Sequence, residues 1–337
     1  MAPPEAGSTG PIKISDVALA AGVSAATVSK ALNGRSDVSA ATRERVLAIA
    51  ARLQFRPNAM AGSLRTGRSF SVGLLTTDSF GRFSIPVMLG AEDALGSGEV
   101  AIIFCDTRDD PEREARQLEA LLHRQVDGII VNGRRTEARP PLIGTRGLPV
   151  VYAFSPSQDP ADCSVIADEP NGARLAVEHL LTGGRKRIAH VTGPRRHRSA
   201  AIRATTTTAR LRRAGLRVDG GVRFGAWTEE WGRQAVADLL RDSPDLDAVF
   251  CGSDQIARGV MDGLREAGRS VPDDVAVVGF DNWEVMATAT RPPLTTVDMN
   301  IDVIGRIAAQ LLLGAIDRSP TSGTTVVPAR LVVRQSS

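Results

Sequence analysis

Ile14-Ser-Asp-Val-Ala-Leu-Ala-Ala-Gly-Val-Ser-Ala-Ala-Thr-Val-Ser-Lys-Ala-Leu-Asn33 reads as two short helices joined by a tight turn at Gly22-Val23. Ser15 is placed to cap the first helix and Ser24 the second, each offering a side-chain oxygen to unpaired backbone N–H groups, and Gly22 supplies the positive φ that ends the first. Val17, Ala18 and Ala21 then face Val28 and Leu32, which leaves Ala25, Ala26, Ser29 and Lys30 on the opposite side. A capped helix with small residues at its start and a cation one turn later fits the major groove of duplex DNA. Ser39 begins a third helix, in which Val46, Ile49, Ala50 and Leu53 recur at helical spacing and close a small core.

This run resembles the DNA-binding headpiece of the lac repressor family (LacI/GalR) of bacterial transcriptional regulators. That family's pattern is close to Asp-Val-Ala-x-x-Ala-Gly-Val-Ser-x-x-Thr-Val-Ser-x-x-Leu-Asn, and Asp16 to Ala18, Ala21 to Ser24, Thr27 to Ser29, Leu32 and Asn33 fill it. The headpiece contacts to DNA are expected from Ser15, Ser24, Ala25, Ala26, Thr27, Ser29, Lys30 and Asn33. Beyond Arg56-Pro-Asn58 the resemblance implies a hinge helix that pairs with its twin from a second subunit and pushes Leu64 between base steps of the minor groove, flanked by Asn58 and Arg65. The segment is about nine residues long and contains Gly62, too short for a stable helix in water, so it is expected to fold only on DNA. Family members often carry arginine where Gly62 stands, which makes hinge helicity weaker here.

Charge follows the same division. Residues 1–68 hold nine Lys/Arg against four Asp/Glu, so the remainder carries about −2 of the total +3. A basic headpiece is the electrostatic footprint of phosphate contact. The first eleven residues, rich in Pro, Gly, Ala and Ser, are expected to be a disordered tail without the pattern of a signal peptide, and no stretch approaches the eighteen apolar residues of a membrane span. Cys105, Cys163 and Cys251 are odd in number and widely spaced, and only four histidines occur, so neither a disulfide framework nor a metal site is indicated. The expected compartment is a reducing cytoplasm, with the protein on the nucleoid.

From Phe70 onward short apolar runs alternate with helical patterns. Strands are expected at 71–75, 100–104, 128–131, 150–153, 187–191, 248–251 and 275–279, and helices at 111–124, 172–181, 232–240, 255–267 and 303–315. Such alternation gives α/β architecture with parallel sheets covered by helices, and ligands beyond the carboxyl ends of the strands. Asp127-Gly-Ile-Ile-Val, Asn171-Gly-Ala-Arg-Leu-Ala-Val-Glu-His-Leu-Leu, Arg187-Ile-Ala-His-Val-Thr-Gly-Pro194, Asp274-Val-Ala-Val-Val-Gly-Phe-Asp281 and Pro292-Pro-Leu-Thr-Thr-Val297 also look like signature stretches of the lac repressor family. They imply a two-lobed, periplasmic-binding-protein-like core, crossed three times near Asp168, Arg291 and Thr321. The expected organisation is a tail at 1–11, an all-α helix-turn-helix domain at 12–57, a hinge at 58–69 and a core at 70–335. Lobe 1 then comprises about 70–167 and 292–320, and lobe 2 about 168–291 and 321–335.

The family's effector pocket lies between the lobes, and the resemblance carries Arg203, Asp281, Trp227, Asp78 and Phe83 into it. An arginine and a carboxylate supply the paired donors and acceptors that a sugar needs, and an aromatic ring its apolar face. Ser253 stands where the family usually has asparagine before Asp254, replacing a bifunctional amide by a shorter hydroxyl. Thr205 to Thr208, four β-branched residues in a row, weaken the helix expected there. The basic run Arg195-Arg-His-Arg198 at the pocket edge raises the alternative of a phosphorylated or acidic sugar.

An enzyme of this class needs a phosphate-cradling glycine motif or a catalytic constellation. No Gly-x-Gly-x-x-Gly after a strand, no Walker-type loop, no Gly-x-Ser-x-Gly and no metal spacing occurs. A transport binding protein lacks a headpiece. The expectation is therefore a non-enzymatic, cofactor-free, sequence-specific regulator, a repressor by resemblance, with activation as the alternative. It binds a near-palindromic operator as a homodimer and responds to a carbohydrate-like effector or, alternatively, to a phosphorylated or non-sugar metabolite. The final strand-like segment, 324–333, is followed by no heptad helix, which points to a dimer rather than a tetramer.

Overall fold

A computed structural model of the chain describes residues 12–32, 35–55, 68–96 and 100–337. The chain divides into two compact units, 1–69 and 70–337.

In the first unit α1 (Ile14–Ala21), α2 (Ala25–Leu32) and α3 (Ala40–Arg52) enclose a core of Val17, Ala18, Ala21, Val28, Ala31, Val38, Val46 and Ala50. Gly22 at φ 65° ends α1. The Ser24 hydroxyl accepts the Thr27 N–H at 3.1 Å, and the Ser39 hydroxyl accepts the Thr42 N–H at 3.3 Å. Ser15 does not cap α1. The helix begins one residue earlier, so Ser15 lies inside its first turn and the Asp16 carboxylate accepts the Lys13 N–H at 2.7 Å. An acidic group there also complements the positive end of the helix dipole.

The second unit holds two six-stranded sheets. Its order is β1 (Ser71–Thr76), α4 (Ser84–Leu95), β2 (Ala101–Asp106), α5 (Pro111–His123), β3 (Gly128–Asn132), β4 (Val150–Ala153), β5 (Cys163–Ala167), α6 (Glu169–Thr182), β6 (Ile188–Thr192), α7 (Arg198–Arg213), β7 (Val222–Phe224), α8 (Glu229–Asp242), β8 (Ala248–Cys251), α9 (Asp254–Glu266), β9 (Ala276–Asp281), α10 (Glu284–Ala287), β10 (Thr295–Asp298), α11 (Ile301–Ile316), β11 (Gly323–Val327) and β12 (Arg330–Val332). Lobe 1 carries β11-β5-β4-β3-β1-β2, all parallel. Lobe 2 carries β12-β10-β9-β8-β6-β7, parallel except for the β10–β12 pair. Helices cover both faces of these sheets, so central strands such as β3 and β9 are buried at every residue and read as continuous apolar runs.

The lobe boundaries differ from the sequence reading at two crossings. The stretch 292–298 does not start lobe 1: β10 pairs with β9 in lobe 2, and the chain crosses only at Met299–Asn300. Nor does 321 start lobe 2. The segment 324–333 is two strands in different sheets, broken at Pro328, which has no N–H for a continuing ladder. The crossings lie side by side, with the Asp168 N–H on the Val327 carbonyl at 2.9 Å and the Asn300 side chain on the Pro328 carbonyl at 2.7 Å.

Three helices, α4, α7 and the single turn α10, are absent from the ranges read from the sequence pattern. Around α4 apolar residues lie on every side, with Ile85 and Leu89 exposed and Val87 and Ala91 buried, so no helical alternation marks it. In α7 the four threonines are accommodated: Thr207 and Thr208 donate their hydroxyls to the carbonyls of Arg203 and Ala204, one turn back, at 2.7 and 2.8 Å. All three cysteines are free and buried.

Candidate functional site

In the first unit Ala25, Ala26 and Lys30 are exposed on α2, with Thr27 and Ser29 half-buried beside them and Ser24 at the start of the helix. Ser15 sits on α1, its hydroxyl 3.5 Å from Asp16. The Lys30 ammonium bonds the Asp37 carboxylate at 2.6 Å, both groups half exposed, and this bond holds Asp37 below the usual carboxylate range. Sequence reading missed Asp37. Asn33, Asn58, Leu64 and Arg65 lie outside the described residues.

In the second unit a cavity of about 520 Å³ opens between the lobes, and its walls are built just beyond the carboxyl ends of the strands. The loop after β1 brings Asp78, Arg82 and Phe83, and the ends of β3 and β4 bring Arg135, Thr136 and Phe154. From lobe 2, His197 follows β6, Trp227 follows β7, Ser253 follows β8, and Asp281 and Trp283 end or follow β9. Arg203 reaches in from the second turn of α7. All six residues that the sequence assigned to an effector pocket, Asp78, Phe83, Arg203, Trp227, Ser253 and Asp281, line this one cavity.

Their bonding divides them. The Asp78 carboxylate accepts the N–H groups of Phe83 and Ser84 at 2.7 and 2.9 Å, fixing the loop and the start of α4. Ser253 caps α9 by accepting the Ile256 N–H at 3.2 Å. Phe83 stacks on Phe154 with ring centroids 4.6 Å apart. The Trp227 indole N–H donates to His197 Nδ1 at 2.8 Å, which places the imidazole N–H on Nε2, and burial lowers the His197 pKa.

Arg203 is almost fully buried. Its guanidinium bonds Glu169 at 2.6 Å and the Gly252 carbonyl, stands 3.8 Å from Asp281, and covers the Phe280 ring at 3.6 Å. Asp281 also bonds Arg82 of the opposite lobe. Burial raises the Asp281 pKa against the pull of the Arg82 and Arg203 cations. Burial and the neighbouring Asp281 push Asp254, which accepts the Trp283 N–H at 2.7 Å, up to about 8. Further bonds between the lobes run from the Thr136 hydroxyl to Glu169 at 3.3 Å and from the Arg198 N–H to Glu137 at 2.7 Å.

The basic run at 195–198 is not a cavity wall of cations. Arg195 lies over Phe224 at 4.4 Å, Arg196 and Arg198 are exposed, and only His197 of the four lines the cavity. Among the described residues no cluster of three His, Cys, Asp or Glu is arranged to hold a metal ion, and no helix is long and apolar enough to cross a membrane.

Gly193 sets the position of Trp227: a Cβ built on it would stand 2.1 Å from the indole ring. Gly193→Ala is therefore expected to displace Trp227 and lower core stability by about 1–3 kcal/mol. Urea titration checks this, with Gly193→Ala costing little further when it is made in a Trp227→Ala background. An unchanged midpoint in the single variant would contradict the contact.

Residues 13–58 match the profile of bacterial regulatory proteins of the lacI family, and residues 177–337 that of a periplasmic binding protein-like domain. The chain is 34% identical over 333 residues to catabolite control protein A of Priestia megaterium, covering 97% of this chain and 99% of that one. It is 34% identical to the HTH-type transcriptional regulator CelR of Thermobifida fusca, with 94% of each chain covered, and 33% identical to the ribose operon repressor of Escherichia coli, with 89% and 92% covered. Among solved structures, the lac repressor dimer bound to operator and the anti-inducer ONPF aligns with a TM-score of 0.76 at 28% identity over 97% of this chain and 99% of that one. The CelR–cellobiose complex aligns with a TM-score of 0.68 at 30% identity over 97% and 100%.

Proposed function

This chain belongs to the lacI family of bacterial regulatory proteins, a DNA-binding transcriptional regulator, and from that premise we propose that it is a repressor that binds a near-palindromic operator as a homodimer and answers to a small carbohydrate effector in the interlobe cleft. The observation that carries this reading is the joint presence, in one chain, of an exposed recognition-helix face and a cleft whose walls combine aromatic rings with paired carboxylates and guanidiniums. CelR has been solved with cellobiose and lac repressor as a dimer on operator, which supports both the ligand class and the assembly.

Within the cleft, Asp281 and Ser253 present polar groups to the effector, Phe83 and Trp227 its apolar surfaces, Arg203 fixes Asp281, and Asp78 fixes the loop bearing Phe83. The three adjacent crossings act as the pivot. Effector binding changes the angle between lobes and so the separation of the two hinge segments in the dimer, a coupling free energy between two sites. The protein is no enzyme in this reading, and it works in the cytoplasm on nucleoid DNA, where its three free thiols stay reduced.

Selection of binding sites from random duplexes, followed by effector titration of the resulting complex, tests the proposal; a symmetric site and a sugar-dependent shift in affinity are expected. Lys30→Ala should cost about 1–3 kcal/mol on that site and relax base choice at one position per half-site. Asp37→Asn, which frees the Lys30 ammonium, should strengthen non-specific binding and steepen its salt dependence by about one charge. Equal loss over all sequences in Lys30→Ala would make Lys30 a phosphate contact. For the hinge, Leu64→Ala should weaken operator binding and reduce DNA bending without changing effector affinity. Unaltered bending, measured by gel phasing, would remove the wedge role.

A further inference from the structure

Arg82 is a cation from lobe 1 delivered to a carboxylate of lobe 2. Its guanidinium lies between two rings, 5.1 Å from the Phe83 centroid and 5.0 Å from that of Trp283, and bonds Asp281 across the cleft with only 14% of the side chain exposed. Asp281 is shared with Arg203, so two guanidiniums converge on one carboxylate. Among the described residues the buried Nε of each has no hydrogen-bond acceptor. Arg135 lines the same cavity, and its guanidinium has no ion-pair partner among the described residues.

A neutral sugar that takes the Asp281 oxygen now bonded to Arg82 displaces that guanidinium. That strands a nearly buried cation, which is strongly unfavourable. A ligand carrying a carboxylate or phosphate instead supplies a replacement acceptor that matches the guanidinium fork, while Phe83 and Trp283 still flank the cation. We propose that the cleft selects an anion-bearing carbohydrate, a sugar acid or a sugar phosphate, and that Arg82 is the residue that receives the anion. This rests on the reading of the cleft as the effector site. The selectivity comes from Arg82 in the loop after β1 and not from the basic run at 195–198: Arg195 lies over Phe224, Arg196 is exposed, and the Arg198 guanidinium is taken up by the Thr136 carbonyl at 3.4 Å and Glu169 at 3.9 Å.

Calorimetric titration of the full-length protein with glucose, galactose and mannose, each as the neutral hexose, the uronate and the 6-phosphate, tests this. The tightest ligand is expected in an anionic series, and the uronates and phosphates separately identify which anion fits. Arg82→Gln should weaken that ligand about 10- to 100-fold, the loss of a charge-assisted pair of bonds, while neutral hexoses, no longer stranding a cation, bind no more weakly than to the parent. Arg82→Lys, which keeps the charge without the fork, should retain part of the affinity. The proposal is overturned by a neutral hexose that binds at least as tightly as both its anionic counterparts, by a panel in which no anionic member binds, or by full anion affinity in a folded Arg82→Gln. Neutral hexoses that bind at least as tightly as their anionic counterparts and are lost in Trp227→Ala would overturn the anion preference yet keep the cleft as the effector site. Anion binding that survives Trp227→Ala and Arg82→Gln alike would remove both.

Discussion

Arg203→Ala is expected to destabilise the core by about 3–5 kcal/mol, because it breaks a buried ion pair and leaves Glu169 charged and almost wholly buried. The Gly252 carbonyl loses its donor and the Phe280 face its cation in the same step. Arg203→Ala combined with Glu169→Gln should recover much of the loss, since the double variant removes the stranded charge. Guanidinium unfolding of the core variants measures both. A single variant within 1 kcal/mol of the parent would show that water reaches Glu169 and that the pair is not desolvated. The sequence places Arg203 as an effector anchor alone; its bonds show that it is also part of the floor on which Asp281 rests, so loss of response in this variant must be read against its stability.

Gly90→Ala comes next in size. In α4 a Cβ at Gly90 would stand 1.8 Å from the Asp302 carbonyl, and one at Gly305 of α11 would stand 2.1 Å from the Val87 carbonyl. The two helices meet backbone to backbone through this pair of glycines, and neither carbonyl can move without shifting its helix. A loss of about 3 kcal/mol, the upper part of the usual range for overpacking, is expected. Gly314→Ala, also in α11, provides the opposite sign: its nearest neighbour is the Ser319 carbonyl at 3.5 Å, so the variant should gain about 0.5–1 kcal/mol from helix propensity. Thermal or urea unfolding of the two variants side by side checks the contrast, and a loss in Gly314→Ala as well would show that the space beside Gly314 does not admit a methyl group.

The headpiece was legible because its determinants are local. Gly22, Ser24 and Ser39 act on backbone groups within three residues, and Val17, Ala21, Val28 and Val46 recur at spacings that a helix brings to one face. The alternation of strands and helices after Phe70 was legible for the same reason, since strands buried on both faces must be runs of apolar residues. α4 was not, because an apolar residue on every side carries no period. Membership of β10, β11 and β12 in one lobe or the other was also hidden: three short strands near the crossings have the same composition whichever sheet accepts them, and only the pairing of Thr295 with Val278, of Gly323 with Cys163 and of Arg330 with Asp298 decides it.

Of the cleft, the sequence by itself determined which residues stand at strand ends, and these include Asp78, Ser253 and Asp281. Tertiary structure alone decided what each of them bonds. Arg82 meets Asp281 across 199 residues, and Arg203 meets Glu169 across 34. An ionic partner is chosen by which cation the folded chain brings within reach and how much water it excludes, and neither is a property of residues near in sequence.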